Sequence, residues 1–442
     1  MKIGIFTNNY LPNPYGVTRS IETFRRELEK RGNTVFIFAP RWKGYEDKNP
    51  RVFRYPSFDI EIKFRFPLAI PYSWKMNRII KNLDLDVIYA QHPNLLGSVA
   101  MKWARKLASR RGRKIPLIFT WHTLYDQYTN FVPFIPTKIS AGYIIRKAVK
   151  FANLADAVIV PTDSIIPILR KWGVENKNII PIATGVLEEE FVNADKNKIR
   201  EKYNIKSDEV ILLIVSRLTT EKNVEFVFRS IRNVLKNSNP PLTMGEDVLY
   251  SRQERVLSET KEIKGKIEFK DFHKEPSPEL DYQLDLSRRE RWGKIKFLVV
   301  GDGYLRRDLE NFCQQEKISD KIIFCGEVER IEIKNFYACA DIFVYGSKSE
   351  TQGMIITEAM YMSLPIVAVN ATGINSLVLN NGNGFLVSEN ESEFSGAVLK
   401  LINNKELRKN FSEASKRIAE LKFTASICAK KMLEVYRKCL NH

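Results

Sequence analysis

The sequence predicts an α/β protein built from two doubly wound parallel sheets. Short β-branched runs alternate with helical segments along the first half of the chain, which is typical of a parallel sheet covered by helices. After a pause, a second alternating series begins with Val210–Val215. A chain of 442 residues is long enough for two such Rossmann-like domains, each with its own core.

The first half combines an amphipathic helix with a series of short strands. The helix is expected at Val17–Arg31, and the strands at Lys2–Thr7, Thr34–Ala39, Val87–Ala90, Leu117–Thr120 and Ala157–Pro161. The alternation pauses around Ile180–Thr184, and a charged, helix-like segment follows at Lys196–Tyr203. We therefore predict an N-terminal domain over residues 1–183 and a second domain over residues 184–423.

The second half repeats the pattern and ends in a long helix. Its strands are expected at Val210–Val215, Phe297–Val300, Ile322–Phe324, Ile342–Tyr345 and Pro365–Val369. The final helix, Ala425–Leu440, has apolar residues at helical intervals. We expect it to cross back to the N-terminal domain, so residues 424–442 are assigned to that domain.

A polar segment from residue 238 to residue 293 fits neither series. It follows the predicted helix Val224–Asn237, is rich in charge and shows no sustained strand or helix period. A connection of this length is unusual inside a compact domain, so we interpret it as an insertion in the second domain. Its sequence is compatible with a small subdomain, an extended arm or a mobile loop.

Composition restricts the class of protein. The N-terminus enters a strand directly, without the regions of a signal peptide, and no apolar run approaches the roughly 20 residues that span a bilayer. The five cysteines have no metal-ligand spacing and resemble small core residues of a reducing compartment. These features predict a cytoplasmic protein.

The net charge of +18, from 70 basic and 52 acidic residues, is unusual. A run without acids would place many cations on one helical surface: Lys102, Arg105, Lys106, Arg110, Arg111, Arg113 and Lys114. Such a surface suits nucleic acid, anionic lipid or acidic small molecules, and charge alone does not distinguish them. A lysine excess that serves solubility is the alternative.

Two glutamates stand eight positions apart in the second domain, Glu350 and Glu358. The segment before them reads as a short buried strand, and the segment from Ile355 reads as the start of an apolar helix. Glu350 should therefore lie in a loop at the carboxyl end of a strand, and Glu358 about one turn into the helix. Ligands of open α/β sheets bind at that edge, where helix N-termini converge.

Two further strand-to-helix loops of the second domain carry groups suited to an anion. One contains Arg217 and Lys222, and such a pair can clamp a diphosphate, the arginine bidentately and the lysine as a point charge. The other is a V-G-D-G turn that contains Gly301. This turn lacks the third glycine of a dinucleotide fingerprint, so NAD binding is not expected.

Two more segments are suited to bring backbone groups close to a ligand. An F-x-G-x-V segment ends at Val328 and could present its backbone to a flat base. Near the N-terminus, Gly16 allows close backbone approach at a helix start, and Thr18 can cap that helix or donate a hydrogen bond.

These motifs occur in a fixed order along the chain: an S/G-R-x-x-x-E-K loop, the V-G-D-G turn, the F-x-G-x-V segment and the E-x7-E element. The combination resembles the retaining, nucleotide-sugar-dependent glycosyltransferases of family 4, which have the GT-B fold. The likeness covers nearly the whole chain apart from the insertion. It implies two Rossmann-like domains that face a cleft, a nucleotide sugar as donor, and no other cofactor.

The resemblance also implies roles for individual residues. Arg217 and Lys222 match the pair that neutralises the donor diphosphate. Glu350 matches the glutamate that contacts the sugar hydroxyls, and Glu358 the one that bonds the ribose. The other matching donor-side positions are Gly16, Gly301, Val328, Gly353 and Met354.

His122 follows the predicted strand Leu117–Thr120 in the N-terminal domain. It resembles the family histidine that bonds the transferred sugar, and a structural histidine is the alternative. His92, after the strand at Val87, is a weaker candidate for the same region.

The implied chemistry needs no metal ion. Negative charge develops on the departing diphosphate, and Arg217, Lys222 and helix N-terminal amides can stabilise it. In this family the acceptor attacks on the face from which the diphosphate leaves, so Glu350 need not be a nucleophile as in glycoside hydrolases. The acid pair Asp84-Leu-Asp86 precedes a buried strand and is interpreted as a turn, not as a metal-ligand set.

The acceptor side is predicted from an H-T-x-Y-x-x-Y pattern that starts at His122. The pattern resembles the diacylglycerol α-glucosyltransferase branch, peripheral membrane enzymes that make glycolipids. It marks Tyr125 and Tyr128 as acceptor-side candidates, and Asp126, between them, is a further candidate for the acceptor side. Aromatics interleaved with cations in residues 58–66 and 71–75 suit an anionic membrane surface, with core or interdomain packing as the alternative.

The sequence therefore predicts transfer of a hexose, with glucose in first place, from a UDP-sugar to a membrane lipid such as 1,2-diacylglycerol. The expected location is the inner face of the cell membrane. Transfer to a soluble sugar, sugar phosphate or other small acceptor is the alternative. A nucleic-acid-binding or non-catalytic scaffold protein is disfavoured, because the donor motifs are intact. The oligomeric state is not predicted.

Overall fold

The computed structural model describes residues 1–13, 16–61, 65–124, 137–236, 294–348 and 350–441. The acceptor-side candidates Tyr125, Asp126 and Tyr128 lie outside these ranges, as does the predicted insertion at 238–293. The predictions for these residues therefore stay predictions.

The N-terminal sheet is parallel and has the strand order β3-β2-β1-β6-β7-β8-β9. Its strands are β1 (Lys2–Phe6), β2 (Thr34–Pro40), β3 (Val52–Tyr55), β6 (Val87–Ala90), β7 (Leu117–Thr120), β8 (Ala157–Val160) and β9 (Ile179–Pro181). A separate antiparallel hairpin pairs β4 (Ser57–Glu61) with β5 (Arg65–Ala69). The helices are α1 (Gly16–Lys30), α2 (Trp74–Asn82), α3 (Leu96–Arg111), α4 (Thr137–Leu154) and α5 (Ile166–Lys171).

The second sheet is also parallel, with the order β12-β11-β10-β13-β14-β15. Its strands are β10 (Val210–Val215), β11 (Ile295–Val300), β12 (Ile322–Gly326), β13 (Ile342–Tyr345), β14 (Ile366–Val369) and β15 (Gly384–Val387). The helices are α6 (Lys196–Lys202), α7 (Val224–Lys236), α8 (Arg306–Gln315), α9 (Ile333–Cys339), α10 (Met354–Tyr361), α11 (Glu391–Asn403), α12 (Lys405–Lys422) and α13 (Ala425–Asn441).

Each sheet is buried on both faces, which explains why its strands read as continuous apolar runs. In β10, Leu212 packs into one core and its neighbour Leu213 into the core on the opposite face, because successive side chains alternate across a strand. The two parallel sheets that the alternation predicted are confirmed. The edge strands β3, β9 and β15 were not predicted; β3 and β9 are short and only partly buried.

The last helix, α13, packs on the N-terminal domain as predicted. Cys428, Met432 and Tyr436 share a core with Ile3 and Ile5 of β1. A helix that belongs to the N-terminal core therefore follows the whole second domain in the chain.

The chain passes between the domains twice, and the two passages touch. The amide of Val186 donates to the carbonyl of Phe423 at 2.7 Å, and the amide of Ala425 donates to the carbonyl of Val186 at 2.8 Å. A Cβ on Gly185 would lie 2.3 Å from the Cα of Ala425, so only glycine fits there. We call residues 185–187 and 423–425 the double crossing.

Both sheets have a switch point, where the chain order of neighbouring strands reverses. It lies between β1 and β6 in the first sheet and between β10 and β13 in the second. Ligands of such sheets bind beyond the carboxyl ends of the strands at this point. The domains meet near these ends, where Thr162 donates to the carbonyl of Thr351 at 3.1 Å and Gln352 to the carbonyl of Thr184 at 2.8 Å.

The predicted basic surface is smaller than expected. Arg111 pairs with Asp84 at 2.7 Å, Arg113 with Asp86 at 2.8 Å, and Lys114 with Asp156 at 2.9 Å. These acids lie far from the basic run in sequence, so the sequence did not show that they neutralise it. The cations left exposed on α3 are Lys102, Arg105, Lys106 and Arg110.

Other compositional predictions can be compared with the described residues. Asp84 has a positive φ of 54°, as in a turn. The cysteines are unpaired, and all are buried except the half-buried Cys325. Among the helices that the structure describes, none combines the length and the apolar character needed to cross a membrane.

Candidate active site

A buried ion pair occupies the switch point of the second sheet. Lys222, in the loop after β10, donates to Oε1 of Glu350, in the loop after β13, at 2.5 Å. Their side chains are only 19% and 14% exposed. Tyr345, the last residue of β13, also donates to Oε1 of Glu350 at 2.5 Å. The pair that sequence spacing placed at strand ends is thus brought into direct contact.

The phenol of Tyr345 stays protonated beside this carboxylate. Burial and the negative charge of Glu350 raise the pKa of Tyr345 well above its usual value. A neutral phenol and an ammonium group therefore both donate to one oxygen of Glu350. The other oxygen, Oε2, can accept a hydrogen bond from a ligand hydroxyl.

The loop that carries Lys222 is tied to the end of β13. Asn223 has a φ of 53°, and its side chain donates to the carbonyl of Gly346 at 3.1 Å. A Cβ on Gly346 would lie 2.5 Å from Val227 of α7, so glycine permits this close approach. The contacts of Asn223 and Gly346 therefore hold the Lys222 loop against the end of β13, independently of the ion pair.

Arg217 lies on the same loop but has a different environment. Its side chain is 59% exposed and pairs with Glu221 at 3.2 Å. Beside it, Gly301 has a φ of 120°, and a Cβ there would lie 2.0 Å from the carbonyl oxygen of Ser216. Gly301 thus shapes the Arg217 loop by packing, a role that the sequence motif did not distinguish from ligand contact.

Helix α10 begins beside the ion pair. Gly353 precedes it in a left-handed conformation, with φ 65° and ψ 49°, and Met354 is its first residue. Free amides at a helix N-terminus and the helix dipole favour an anionic group there. One edge of the sheet therefore carries a cation, Lys222, together with hydrogen-bonding groups from Glu350 and the start of α10.

Glu358 lies in the second turn of α10 and is 3% exposed. Arg330 holds its carboxylate with two hydrogen bonds of 2.9 Å, and Arg19 of α1 approaches it at 3.1 Å. Burial raises the pKa of Glu358, and the charge of Arg19 opposes this shift. Sequence reasoning selected Glu358 but missed both arginines.

His122 and His92 lie beyond the strand ends of the N-terminal sheet. Nε2 of His122 is 2.6 Å from Oε1 of Gln91, and Nδ1 of His92 accepts from the amide of Asn8 at 3.1 Å. Burial lowers the pKa of His122 to about 3, with a contribution from His92, and lowers that of His92 to about 4. Both imidazoles are therefore neutral at neutral pH.

Gly16 and Val328, two further predicted site residues, are also described. Gly16 is the first residue of α1, and no described atom would lie within 4 Å of a Cβ added to it. Two residues further along α1, the buried hydroxyl of Thr18 has no hydrogen-bond partner within the described residues. Val328 is half-buried in the loop after β12. Each lies beyond a strand end.

Comparison with known families identifies the two halves. Residues 14–190 match the profile described as "Glycosyltransferase Family 4", and residues 279–418 match "Glycosyl transferases group 1". The chain belongs to glycosyltransferase family 4. It is therefore an enzyme that transfers sugar units, as the motif order predicted.

Relatives of this glycosyltransferase span most of its length. An alpha-monoglucosyldiacylglycerol synthase of Streptococcus pneumoniae is 28% identical over 415 residues, covering 91% of this chain and 78% of the relative. An enzyme of the same name from Acholeplasma laidlawii is 24% identical, covering 88% and 86%. A GDP-mannose-dependent alpha-mannosyltransferase of Mycobacterium tuberculosis is 22% identical, covering 92% and 89%.

Solved structures confirm the GT-B fold of the glycosyltransferase. HepE from Anabaena, in complex with UDP and glucose, superposes with a TM-score of 0.67 at 16% identity, covering 99% of this chain and 100% of that one. A sucrose-phosphate synthase from Thermosynechococcus elongatus gives a TM-score of 0.68 at 15% identity, covering 100% and 99%. At such identities the likeness concerns the fold alone.

Sequence reasoning missed several groups that contact the predicted residues. Tyr345 was assigned only to a strand, although a polar aromatic at a strand's carboxyl end is a usable signal. Arg330 follows the F-x-G-x-V segment by two positions, and Arg19 follows Gly16 by three. Arg330 reaches Glu358 within the second domain, whereas Arg19 reaches it only through the packing of the two domains, and no local pattern reports either contact.

Proposed function

We propose that this glycosyltransferase moves a hexose, in first place glucose, from a UDP-sugar to a membrane lipid such as 1,2-diacylglycerol. Transfer retains the configuration at the anomeric carbon and requires no metal ion. The observation that carries the proposal is the Lys222–Glu350 ion pair at the switch point, beside the start of α10.

The ion pair fits the junction between a sugar and a diphosphate. An ammonium group has three donors, and Glu350 uses one of those of Lys222. The remaining donors of Lys222 are available for phosphate oxygens, while Oε2 of Glu350 accepts from a sugar hydroxyl. Arg217, which is mostly exposed at the same strand end, adds a second cation for the diphosphate.

The leaving group is stabilised by charge. As the bond between the anomeric carbon and the phosphate oxygen breaks, negative charge grows on the diphosphate. Lys222, Arg217 and the amides at the start of α10 are fixed donors for that charge. The acceptor hydroxyl attacks from the same face, and its proton passes to the departing phosphate oxygen, so Glu350 acts as a binding group.

The donor nucleotide and the transferred sugar have further contacts in this proposal. Glu358 accepts from the ribose hydroxyls, and the backbone at Val328 reads the base. Gly16 and Gly353 allow close backbone approach to the phosphates and the sugar. Across the cleft, neutral His122 bonds a sugar hydroxyl.

The lipid acceptor is supported by the relatives and by exposed aromatics. Two of the relatives are named as glucosyldiacylglycerol synthases. Trp74, at the start of α2, is 79% exposed beside Tyr72 and the exposed cations Lys75 and Arg78. Such a surface can insert aromatics at the interface while cations meet anionic head groups.

The membrane surface extends from α2 to α3. Nε1 of Trp103, in α3, donates to Asn77, in α2, at 3.3 Å, so the two helices pack together. Together they carry these exposed cations: Lys75, Arg78, Lys81, Lys102, Arg105, Lys106 and Arg110. We therefore propose a cytoplasmic enzyme attached to the inner face of the cell membrane.

A donor-by-acceptor screen tests the proposed reaction. Purified enzyme is incubated with UDP-glucose, UDP-galactose or GDP-mannose, and with vesicles containing diacylglycerol or with soluble sugars. We expect a glycolipid from UDP-glucose in the presence of EDTA, with an α-linkage by NMR. Efficient transfer to a soluble acceptor together with inactivity on diacylglycerol would refute the lipid proposal.

Vesicle binding is tested separately. We expect the protein to sediment with anionic vesicles at low salt, and the variant Trp74→Ser to bind more weakly. Leu421→Ser is the matched control, because Leu421 is 61% exposed but lies on α12 of the second domain. Equal binding by the two variants would contradict the assigned surface.

A further inference from the structure

Four charged side chains from three parts of the chain meet beside α10. Arg19 belongs to α1, Glu190 to the segment after the double crossing, and Arg330 and Glu358 to the second domain. We call them the ion cluster. Arg19 bonds Glu190 at 2.8 Å and Glu358 at 3.1 Å, and Arg330 bonds both carboxylates at 2.9 Å. Two cations and two anions therefore balance each other.

The carboxylate of Glu358 is fully engaged in this cluster. Oε1 accepts from Arg330 at 2.9 Å and from Arg19 at 3.1 Å, and Oε2 accepts from Arg330 at 2.9 Å and from Tyr337 at 3.3 Å. A carboxylate offers about four lone-pair positions. A ribose that donates to Glu358 must therefore replace a group that is already bound.

Arg330 is the partner best placed to leave. It holds two of the four positions, whereas Arg19 and Tyr337 hold one each. It is also 32% exposed, compared with 23% for Arg19, and its guanidinium stacks 5.1 Å from the ring centre of Phe191. Because its Nε already donates to Glu190 at 2.9 Å, it keeps a carboxylate partner after release.

We propose that Arg330 is a positioning residue that competes with the donor ribose for Glu358, and that donor binding shifts it onto Glu190. The inference rests on the proposed role of Glu358 as the ribose contact. Glu190 lies directly after the double crossing, so the shift places the displaced charge beside the passage between the domains. Binding of the nucleotide is thereby linked to a contact that both domains share.

The interaction of Arg330 with the ribose site predicts a ligand-specific effect. UDP and 2′,3′-dideoxy-UDP are titrated by calorimetry into the wild type and into Arg330→Gln. We expect the variant to bind UDP about tenfold more tightly, because no guanidinium has to be displaced. Binding of the dideoxy analogue, which cannot donate to Glu358 from the ribose, should change little.

A second variant acts in the opposite direction and preserves side-chain volume. Glu190→Gln removes the charge that receives Arg330, so UDP should bind about tenfold more weakly, again with little change for the dideoxy analogue. Arg232→Gln is the matched control. Arg232 is 26% exposed, stacks on Phe312 at 6.0 Å, and pairs with Glu316, just after α8, and with Glu391, at the start of α11.

The two possible failures can be told apart. Equal changes for UDP and its dideoxy analogue, or weaker UDP binding by Arg330→Gln, would overturn the competition. GDP is titrated in parallel, because it carries the same ribose hydroxyls. If the wild type binds GDP and not UDP, the proposed donor is wrong while the ribose comparison proceeds with GDP. If it binds neither nucleotide, both proposals fail.

Discussion

Replacing Lys222 by methionine tests the ion pair on which the proposed site depends. The substitution keeps most of the side-chain volume and removes the ammonium group that contacts Glu350. Since the carboxylate is 14% exposed, its charge would lose a partner without gaining full hydration. Tyr345 would remain as a neutral donor.

The expected magnitude follows from this burial. Removing one partner of a buried pair costs about 3–5 kcal/mol, and the remaining exposure places this pair at about 2–3 kcal/mol. Glu350→Gln should cost a similar amount, because it leaves the ammonium without its carboxylate. The double variant removes both charges, so it should be more stable than the sum of the single effects indicates, by about 1–3 kcal/mol.

The assay is urea unfolding of the wild type, both single variants and the double variant at one pH. Lys348→Met is the control. Lys348 is close to Glu350 in sequence, but its own pair with Glu389 is exposed, with side chains that are 54% and 41% accessible. We expect that control to cost no more than about 1 kcal/mol. Additive effects of Lys222→Met and Glu350→Gln, within about 0.5 kcal/mol, would refute the coupling inferred from their contact.

Three further predictions concern single features of the site. Arg217→Met should lower kcat about 10²- to 10³-fold, because a diphosphate-stabilising charge is lost, while the urea midpoint stays unchanged. An equally large loss of stability would contradict its exposed position. His92 is neutral when folded, with a pKa of about 4, and titrates near about 6.5 when unfolded. The unfolded state therefore binds more protons between these values, so stability falls as pH drops, by about 2 kcal/mol from this group at pH 5. His92→Gln should flatten that loss in urea unfolding at pH 7 and pH 5, and an unchanged pH dependence would count against the burial. Gly301→Ala should destabilise by about 2–4 kcal/mol, because its Cβ meets a backbone carbonyl at a positive φ. Gly396→Ala, within α11 and with open space around its Cβ, should instead stabilise by up to about 1 kcal/mol in thermal unfolding.

The parallel sheets were predictable because their strands are buried on both faces. β10 and β13 are continuous apolar runs, and such runs stand out in any window of the sequence. The edge strand β9 has half-exposed residues and a proline, so its pattern resembles a loop. β9 forms because it pairs with β8, and that pairing depends on the tertiary structure and not on the local sequence.

In the candidate site, too, local features were predictable from the sequence and tertiary contacts were not. Lys222 and Glu350 could be placed at strand ends because each follows a recognisable strand. Their contact could not be predicted, since it depends on β13 returning beside β10 after the outward strands β11 and β12. The pairing of Arg330 with Glu358 likewise requires the loop after β12 to reach α10.

For the basic run, the sequence predicted more exposed positive charge than the structure has. Residues 102–114 contain no acid, so the sequence predicted an uncompensated surface. The last part of that run is approached by three acids, Asp84, Asp86 and Asp156. They reach it only because the amino-terminal ends of neighbouring strands lie side by side there. Local charge density therefore overestimated the charge available to a partner.

The double crossing makes rotation the expected relative motion of the domains. Since the two passages are hydrogen-bonded to each other and Gly185 packs on Ala425, both covalent links act as one pivot, and sliding of one domain along the other is restricted. In a rotation, displacement grows with distance from the axis. Gln352 bonds Thr184, next to the pivot, so its contact changes least. Contacts farther from the pivot must lengthen more for the same angle, so spin labels placed on such positions would report opening with the greatest sensitivity.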